Sequence, residues 1–286
     1  MKKLIALLIT ALLSISMVFG LTACNKTKLT GFDIELANEV VAYLNAENDT
    51  NIKIEFQEID WNSKEALLEN GTIDLVWNGM TITAERAAEM CVSIPYLYNK
   101  QVAVIRKADE SKYSGVSVGN LIAFAAATFG AEAGSAGESV INTMFGANEY
   151  ISSASQLDAL TNLDNGNIDI AVIDSVMAGY YTSQGTYKDK LVMVDGLTLA
   201  TESYGIAAKK GSFALVSKIN DALIALRETK YADVAEDFGL TSSIALSESS
   251  INPLKTLATD GSWDDVVESG KLVIGYTVFA PIAYEK

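Results

Sequence analysis

The sequence has no histidine, only two cysteines and three prolines, and far fewer basic than acidic side chains. Without histidine, neither a Ser-His-Asp nor a Cys-His nucleophilic site can form, and most zinc sites are excluded. The 21 Lys and Arg against 36 Asp and Glu give a formal net charge of −15, without any Lys/Arg-rich run. Nucleic acid is therefore not expected as a partner, because phosphate binding needs clustered positive charge. These absences favour binding over catalysis, and no metal or cofactor is expected.

The chain is nevertheless long and apolar enough to fold around a sizeable core. Its 286 residues are 49% hydrophobic, which suits one large or two medium domains and excludes a disordered or collagen-like chain.

The N-terminus differs from the rest of the chain. Two lysines precede an apolar run from Leu4 to Phe19, which is shorter than the roughly 20 residues that span a bilayer. The run suits the hydrophobic region of a secretory signal, predicted here as residues 1–23, and a buried or anchoring N-terminal helix is the alternative.

The end of this segment resembles the lipobox of bacterial lipoproteins, through Leu21-Thr22-Ala23-Cys24. The resemblance implies that Cys24 is acylated, that residues 24–30 form a short tether, and that an exported protein is anchored extracytoplasmically to the cell membrane. Cys91 then has no partner for a disulfide.

The remaining sequence alternates between helical and strand patterns. Residues 31–44 show approximate helical spacing, residues 52–56 alternate with the period of a strand, and 73–77 form a short apolar strand. Strands that alternate with helices predict an α/β fold with mainly parallel sheets flanked by helices.

A short internal sequence repeat suggests two lobes of similar build. Residues 68–75 (LENGTIDL) reappear as residues 163–170 (LDNGNIDI), and both copies end a helical stretch with Asn-Gly and open an apolar strand. Two independent αβ turns would give the same pattern. In open α/β sheets ligands lie beyond the carboxyl ends of strands, which directs attention to residues 77–81 and 173–175, placed just past the two strands.

The two ends of the chain look like one divided βα unit. The C-terminal part contains a predicted strand at 271–275 with no helix after it, whereas Gly31 leads into a helix with no strand before it. Joining residues 283–286 to residues 29–33 would restore the unit, and such joins fall in exposed loops where circular permutation is tolerated. We expect the C-terminal strand to dock beside residues 52–56, with Lys286 near Leu29.

With the ends rejoined, nearly the whole chain resembles the extracellular solute-binding proteins of polar amino-acid ABC importers, which have a type II periplasmic-binding fold. Six segments carry the resemblance, in rotated order: GKLVIGYTVFAPIAY, GFDIELANEV, DLVWNGMTITAER, SIPY at 93–96, GSAGE at 134–138 and SYGIA at 203–207. The resemblance implies a circularly permuted chain with lobe 1 at 31–103 plus 204–286 and lobe 2 at 104–203. A natural permutation, an engineered one and a gene-assembly artefact all remain open.

The resemblance also implies a cleft that holds a free amino acid. Arg86 would grip its carboxylate bidentately, with Thr81 as a further donor and Ser135 and Ala136 at a helix start offering backbone N–H groups. Asp174 would take the ammonium group, helped by the backbone beside Asn78 and Gly79. Trp61 and Phe279 would flank the ligand side chain, and Glu132 occupies a position that often faces it. Each of these residues also has a purely structural alternative. Arg86 could form a surface ion pair, Asp174 could cap a helix, and the aromatic rings could belong to the core.

Three functions from different classes fit these residues. The first is a lipid-anchored, monomeric binding protein that delivers an amino acid to an ABC permease. The second is a dehydratase-like enzyme on the same fold, with Glu132 or Asp174 as acid or base. The third is a ligand-sensing receptor component. The Gly-x-Ser-x-Gly match at 115–119 is not a nucleophile site, because no histidine exists to activate its serine.

Overall fold

The computed structural model describes residues 28–146, 148–184 and 186–286. The predicted signal peptide at 1–23 and the predicted lipidation site Cys24 lie outside the described residues. Within the described part, no helix combines the length and apolar character needed to cross a bilayer.

The described residues form twelve strands and nine α-helices. The strands are β1 (Leu29–Thr30), β2 (Lys53–Glu58), β3 (Leu75–Thr81), β4 (Met90–Val92), β5 (Leu97–Arg106), β6 (Phe129–Glu132), β7 (Tyr150–Ser153), β8 (Ile170–Asp174), β9 (Leu191–Met193), β10 (Ala200–Lys209), β11 (Lys271–Tyr276) and β12 (Tyr284–Glu285). The helices are α1 (Phe32–Asn48), α2 (Lys64–Glu69), α3 (Ala84–Glu89), α4 (Ala136–Met144), α5 (Gln156–Asp164), α6 (Ser175–Ser183), α7 (Phe213–Leu226), α8 (Lys230–Asp237) and α9 (Ser262–Ser269).

Ten of these strands make one sheet with two mainly parallel halves. Its order is β2-β11-β3-β10-β5-β8-β6-β7, with β4 paired to β10 and β9 paired to β5. Pairing is parallel among β2, β11 and β3 and again among β8, β6 and β7. Between the halves, the crossing strands β5 and β10 run antiparallel to each other and to their outer neighbours. The crossing strands therefore connect the two halves of an α/β fold.

The C-terminal strand lies inside the first half of the sheet. Strand β11 pairs in parallel with β2 from Lys271 opposite Lys53 to Tyr276 opposite Glu58, and its other edge pairs with β3. This pairing agrees with the expectation that the C-terminal strand docks beside residues 52–56. Ile274 is completely buried there, as expected for an apolar strand with neighbours on both sides.

Residues from opposite ends of the described chain also meet. The short strands β1 and β12 pair antiparallel, and Lys28 and Lys286 exchange two backbone hydrogen bonds of 3.0 Å. The expectation that no strand precedes the first helix was wrong, because a two-residue strand is too short to leave a periodic pattern in the sequence. The placement of Lys286 beside Leu29 agrees with the expectation.

The two repeated segments adopt the same turn. Gly71 and Gly166 have φ values of +75° and +78°, the left-handed conformation that ends a helix at little steric cost only for glycine. Their N–H groups donate to Leu68 and Leu163 at 3.2 and 3.1 Å. Each turn leads from a helix, α2 or α5, into a central strand, β3 or β8. The repeated sequence therefore places corresponding strands in the two halves.

Helix α1 follows the apolar spacing read from the sequence. Its inward side chains Phe32, Leu36, Val40 and Leu44 are at most 3% exposed and belong to the largest core cluster. Because that cluster also contains β11, β3 and the crossing strands, the core rigidly supports the strand ends that carry the candidate site.

Candidate functional site

A narrow cavity between the two halves of the sheet collects every ligand-binding residue predicted from the sequence. It has only about 10 Å³ of free space, enough for about one water molecule. Its lining comprises Trp61, Asn78, Gly79, Thr81, Arg86, Glu132, Ser135, Ala136, Asp174 and Phe279, together with Gln156 and Thr277. A wider, open cleft shares Thr81, Arg86 and Ala136 with this cavity. The cavity therefore adjoins a path to solvent.

Strand β3 carries three of these residues and extends further than predicted. The sequence analysis placed residues 77–81 beyond the strand, but β3 continues to Thr81. The reason is tertiary: Met80 and Thr81 pair antiparallel with Gly205 and Tyr204 of β10, although Asn-Gly alone suggests a turn. Thr81 is thus held by the ladder with β10, whereas Asn78 and Gly79 lie where the register between the two strands shifts.

Gly79 sits where only glycine fits. Its φ is +61°, and a Cβ added there would lie 2.7 Å from Cε1 of Phe279 and 3.1 Å from Cε2 of Tyr204. Below the strand, the buried Asp33 accepts hydrogen bonds from the Gly79 N–H and the Tyr96 hydroxyl, both at 2.8 Å. Burial raises the pKa of Asp33 to about 7, although these two donors oppose the rise. Asp33 therefore fixes the Gly79 backbone from beneath the cavity.

Asn78 offers the cavity an amide donor without a partner. Its Oδ1 accepts a hydrogen bond from the backbone N–H of Thr277, just past β11. Its buried Nδ2 has no hydrogen-bond partner. A buried, unpaired donor costs free energy, so an acceptor on a bound ligand would stabilise this site.

Arg86 reaches across the cavity from the third position of α3. Its Nη1 donates to the Thr81 carbonyl at 2.8 Å and its Nη2 donates to the Gly134 carbonyl, on the opposite side, at 2.9 Å. In the described part of the chain, Arg86 bonds to these two carbonyls and does not form the surface ion pair with Glu85 or Glu89 that was the structural alternative. Burial is the largest influence on the Arg86 guanidinium and lowers its pKa. A buried guanidinium without a carboxylate on its fork is suited to bind one.

Thr81 makes a different contact from the expected one. Its Oγ1 donates to Oε2 of Glu202, on the crossing strand β10, at 3.0 Å. The hydroxyl was expected to donate to the ligand carboxylate, and no local pattern indicates that Glu202, 121 residues away, lies within its reach.

Asp174 ends β8 and is enclosed by donors. Its Oδ1 accepts from Gln101 at 2.9 Å, from the Tyr204 hydroxyl at 2.8 Å and from Asn99, while Oδ2 accepts from Gln156. The side chain does not cap α6, for which Asp174 is the N-cap residue. Burial, followed by the carboxylate of Glu202, raises the pKa of Asp174 well above its ordinary value. A positive group in the cavity would relieve both effects.

The start of α4 supplies a reciprocal cap. Oγ of Ser135 accepts from the Glu138 N–H at 3.1 Å, and Oε2 of Glu138 accepts from the Gly134 N–H at 2.7 Å. This capping box occupies the Gly134 N–H, and the Ser135 N–H that was expected to face a ligand donates to the Glu132 carbonyl at 3.2 Å. The N–H groups of Ala136 and Gly137, in the first turn, have no acceptor within the helix. They remain the available backbone donors on this side.

Glu132 and Trp61 also line the cavity. Glu132 ends β6 and is 4% exposed, and Trp61 is 6% exposed. The buried Nζ of Lys64 lies 4.9 Å from the centroid of the indole ring. The cavity lining therefore includes an aromatic ring and a buried carboxyl group.

Several residues of the site were not predicted. Thr277 directly follows β11 and lies two residues past the strand predicted at 271–275, so the rule that ligands lie beyond strand ends could have found it. Gln156 and Glu202 lie within a helix and a strand and match no motif, whereas Asp33 lies in the segment GFDIELANEV but was not singled out as a site residue. Only the tertiary contacts described above reveal their place.

The chain is similar to a known protein family. Residues 19–241 match the family described as bacterial extracellular solute-binding proteins, family 3. A probable histidine-binding protein of Neisseria gonorrhoeae is 31% identical over 211 residues, which are 72% of this chain and 72% of that protein. An ABC transporter glutamine-binding protein, GlnH of Bacillus subtilis strain 168, is 28% identical over 72% of this chain and 71% of its own length.

Solved structures agree with the fold. An ancestral arginine-binding protein bound to arginine has a TM-score of 0.63 and 28% identity, and the match covers 73% of this chain and 88% of that one. The predicted α/β fold with two lobes and a cleft between them is thereby confirmed. The related proteins are named for binding, which agrees with the expectation drawn from the absence of histidine.

Proposed function

The chain belongs to family 3 of the bacterial extracellular solute-binding proteins, and we propose that it binds a free amino acid and delivers it to an ABC importer. One observation carries the proposal: Arg86 and Asp174, of opposite charge, line the same narrow cavity from opposite halves of the sheet. A free amino acid is a zwitterion whose carboxylate and ammonium groups match this pair.

The contacts of the two residues support specific roles in binding. Arg86 binds the carboxylate through both Nη atoms after exchanging its contact with the Gly134 carbonyl for the ligand. The N–H groups of Ala136 and Gly137 add donors to the same carboxylate. Asp174, held by Gln101, Tyr204 and Gln156, accepts from the ammonium group, and Trp61 and Phe279 cover the ligand side chain.

Lobe closure about the crossing strands accompanies binding. We place lobe 1 at 31–103 plus 204–286 and lobe 2 at 104–203. The hydrogen bond from Arg86 to Gly134 joins residues of the two proposed lobes, so this contact is the one that a ligand carboxylate would bridge.

A screen of the twenty amino acids by thermal shift tests the function. A ligand that binds only the folded state raises the melting temperature, and we expect at least one amino acid to do so. The Asp174→Asn variant should lose the shift, because a neutral amide cannot pair with an ammonium group as strongly as a carboxylate does. No shift with any amino acid in the wild-type protein would contradict the proposal.

The binding role is proposed instead of catalysis. A dehydratase-like enzyme would need Glu132 or Asp174 as a proton carrier facing a reacting bond. We expect NMR spectra of the bound amino acid to stay unchanged during prolonged incubation with the protein. New resonances that depend on Glu132 would favour the enzyme. A sensory role would instead require the closed lobes to contact a receptor in place of a permease.

Export, anchoring and partners complete the proposal. The lipobox at residues 21–24 supports acylation of Cys24 and attachment to the outer face of the cell membrane, with an ABC permease as the protein partner and a monomeric state. Replacing Cys24 by alanine should move the protein from the membrane fraction to the soluble fraction. Mass spectrometry that finds an unmodified Cys24 would contradict the anchor.

Circular permutation is the proposed relation to the family. The family match stops at residue 241, which leaves β11 outside it, yet β11 occupies a central position between β2 and β3. Both observations support a rotated order of the same elements.

A further inference from the structure

Glu132 is an ionisable residue of the cavity that the proposed binding of the ligand's carboxylate and ammonium groups does not use. It lies at the carboxyl end of β6, is 4% exposed and lines the cavity with Trp61. Its Oε1 has no hydrogen-bond partner. Buried carboxylate oxygens without partners are costly and rare, so this oxygen points to a missing donor.

The charged neighbours of Glu132 do not replace that donor. Lys64 is the nearby cation, and Asp60 and Asp158 are the nearby anions. The Nζ of Lys64 is engaged elsewhere, with Oε1 of Glu65 at 3.0 Å and the Trp61 carbonyl at 3.2 Å. Gln156 contributes a favourable hydrogen bond, but burial outweighs it and Lys64 together and raises the pKa of Glu132 to about 8. In the empty cavity Glu132 is therefore mostly protonated at pH 7.

The charged residues of the cavity match both charged groups of the ligand backbone, and one acidic residue is left over to face the ligand side chain. Arg86 matches the carboxylate and Asp174 matches the ammonium group, which leaves Glu132 as the further acidic group in the cavity that Trp61 also lines. A cationic side chain would satisfy the carboxylate and could also stack on an indole ring. An acidic side chain could be accepted only by protonated Glu132, and it would lack the ion pair that a cationic side chain makes in this dry site.

We propose, on the basis of the function proposed above, that the protein selects amino acids with a positively charged side chain and that Glu132 accepts the hydrogen bonds of that side chain. The bound cation favours the ionised carboxylate, so Glu132 releases its proton to solvent as the ligand enters. The ligand keeps all its own protons, and one proton leaves the protein for each cation bound by a protonated Glu132. Selectivity and proton release thus have the same origin.

Arginine and citrulline form the decisive pair of ligands. They have nearly the same shape, but citrulline carries a neutral urea group where arginine has a guanidinium. Their backbones are identical, so any proton exchange at Asp174 is common to both and cancels in the comparison. We expect calorimetry on the full-length protein at pH 7 to show binding of arginine about 30-fold tighter than that of citrulline, as fits a charge-assisted pair in a desolvated site.

A proton count adds a readout that a purely structural role would not change. Titrations in two buffers of different ionisation enthalpy should show that arginine releases more protons than citrulline at pH 7. At pH 9.5 the difference should vanish, because Glu132 is then already ionised. In Glu132→Gln the preference for arginine should shrink to within threefold and the extra proton release should disappear. Glu89→Gln removes an equal charge at the exposed end of α3 and should change neither result.

The outcomes separate this inference from the proposed function. Equal or tighter binding of citrulline, glutamine or glutamate by the wild-type protein would overturn the inference and leave amino-acid binding intact. Failure to bind any amino acid would overturn both. The comparison of arginine with citrulline in the wild-type protein needs no variant, so the inference remains testable even if Glu132→Gln does not fold.

Discussion

Two residues of the proposed binding site, Arg86 and Gly79, each allow a matched experiment. Arg86 supplies two directed N–H donors to carbonyls on both sides of the cavity. Gly79 supplies the close approach of β3 to Phe279 and Tyr204. A change at Arg86 therefore tests hydrogen-bond geometry, and a change at Gly79 tests steric space.

We predict that Arg86→Lys weakens amino-acid binding about 30-fold or more while the fold is kept. Lysine keeps the charge but cannot bind a carboxylate bidentately, and the lost contact is worth on the order of 2–4 kcal/mol. Isothermal calorimetry measures the change. Arg227→Lys is the matched control, since Arg227 contacts Glu228 and the Ser247 carbonyl on the surface. Binding by Arg86→Lys within threefold of wild type would show that Arg86 does not hold the ligand.

We also predict that Gly79→Ala lowers both the free energy of unfolding and ligand affinity. The new methyl group would lie 2.7 Å from the Phe279 ring, in addition to a left-handed strain of about 1–2 kcal/mol. Gly71→Ala carries the same kind of strain at φ +75° but meets no atom within 4 Å. Urea unfolding should therefore separate the two variants, with Gly79→Ala less stable than Gly71→Ala. Equal losses would mean that Phe279 moves aside without cost.

At the scale of elements, β11 is the strand on which the first half of the sheet depends. It lies between β2 and β3, and Thr277 and Phe279, just after it, line the cavity. Its integrity should matter for both folding and binding.

We predict that Ile274→Ala costs about 2–5 kcal/mol of unfolding free energy, because Ile274 is completely buried and its removal leaves a cavity. Leu257→Ala is the control, since Leu257 is 51% exposed and should change stability by less than about 0.5 kcal/mol. Denaturant titration measures both variants. Equal stability of the two variants would show that β11 contributes little to the sheet.

The elements also show what the sequence could and could not predict. The repeat at 68–75 and 163–170 correctly indicated two equivalent αβ turns, because Asn-Gly and the apolar residues act locally. The end of β3 at Thr81 could not be predicted, since it depends on pairing with β10. The contacts of Thr81 with Glu202 and of Asp33 with Gly79 join residues 121 and 46 positions apart, and no local pattern encodes them.

At the scale of the whole molecule, buried acids make stability depend on pH. Burial raises the pKa of Asp33 from 3.8 to about 7 and that of Glu132 from 4.5 to about 8. Between these values the folded protein binds more protons than the unfolded chain, so each group's contribution to stability falls as pH rises. The contribution is complete below about pH 4 and is lost once the pH passes the folded-state value.

We predict that Asp33→Asn flattens this dependence between about pH 4 and 7, and that Glu132→Gln flattens it between about pH 4.5 and 8. The relevant quantity is the unfolding free energy of each variant minus that of wild type, measured without ligand by denaturant titration across this range. Asp260, whose pKa is lowered by hydrogen bonds from Ser262 and Ala214, affects stability only at lower pH. Differences that do not change with pH would show that both acids are ionised in the folded protein.

The position of β11 also determines the order in which the two halves of the sheet can fold during synthesis. A chain made from its N-terminus has β2 and β3 complete about 190 residues before the strand that lies between them begins. The second half of the sheet has all its strands by residue 209, whereas the first half has a gap until residue 276 emerges. We therefore expect protease resistance during stepwise synthesis to appear first around residues 104–203 and only later around residues 31–103. During that interval β2 and β3 have unpaired edges, which favours pairing with strands of other chains.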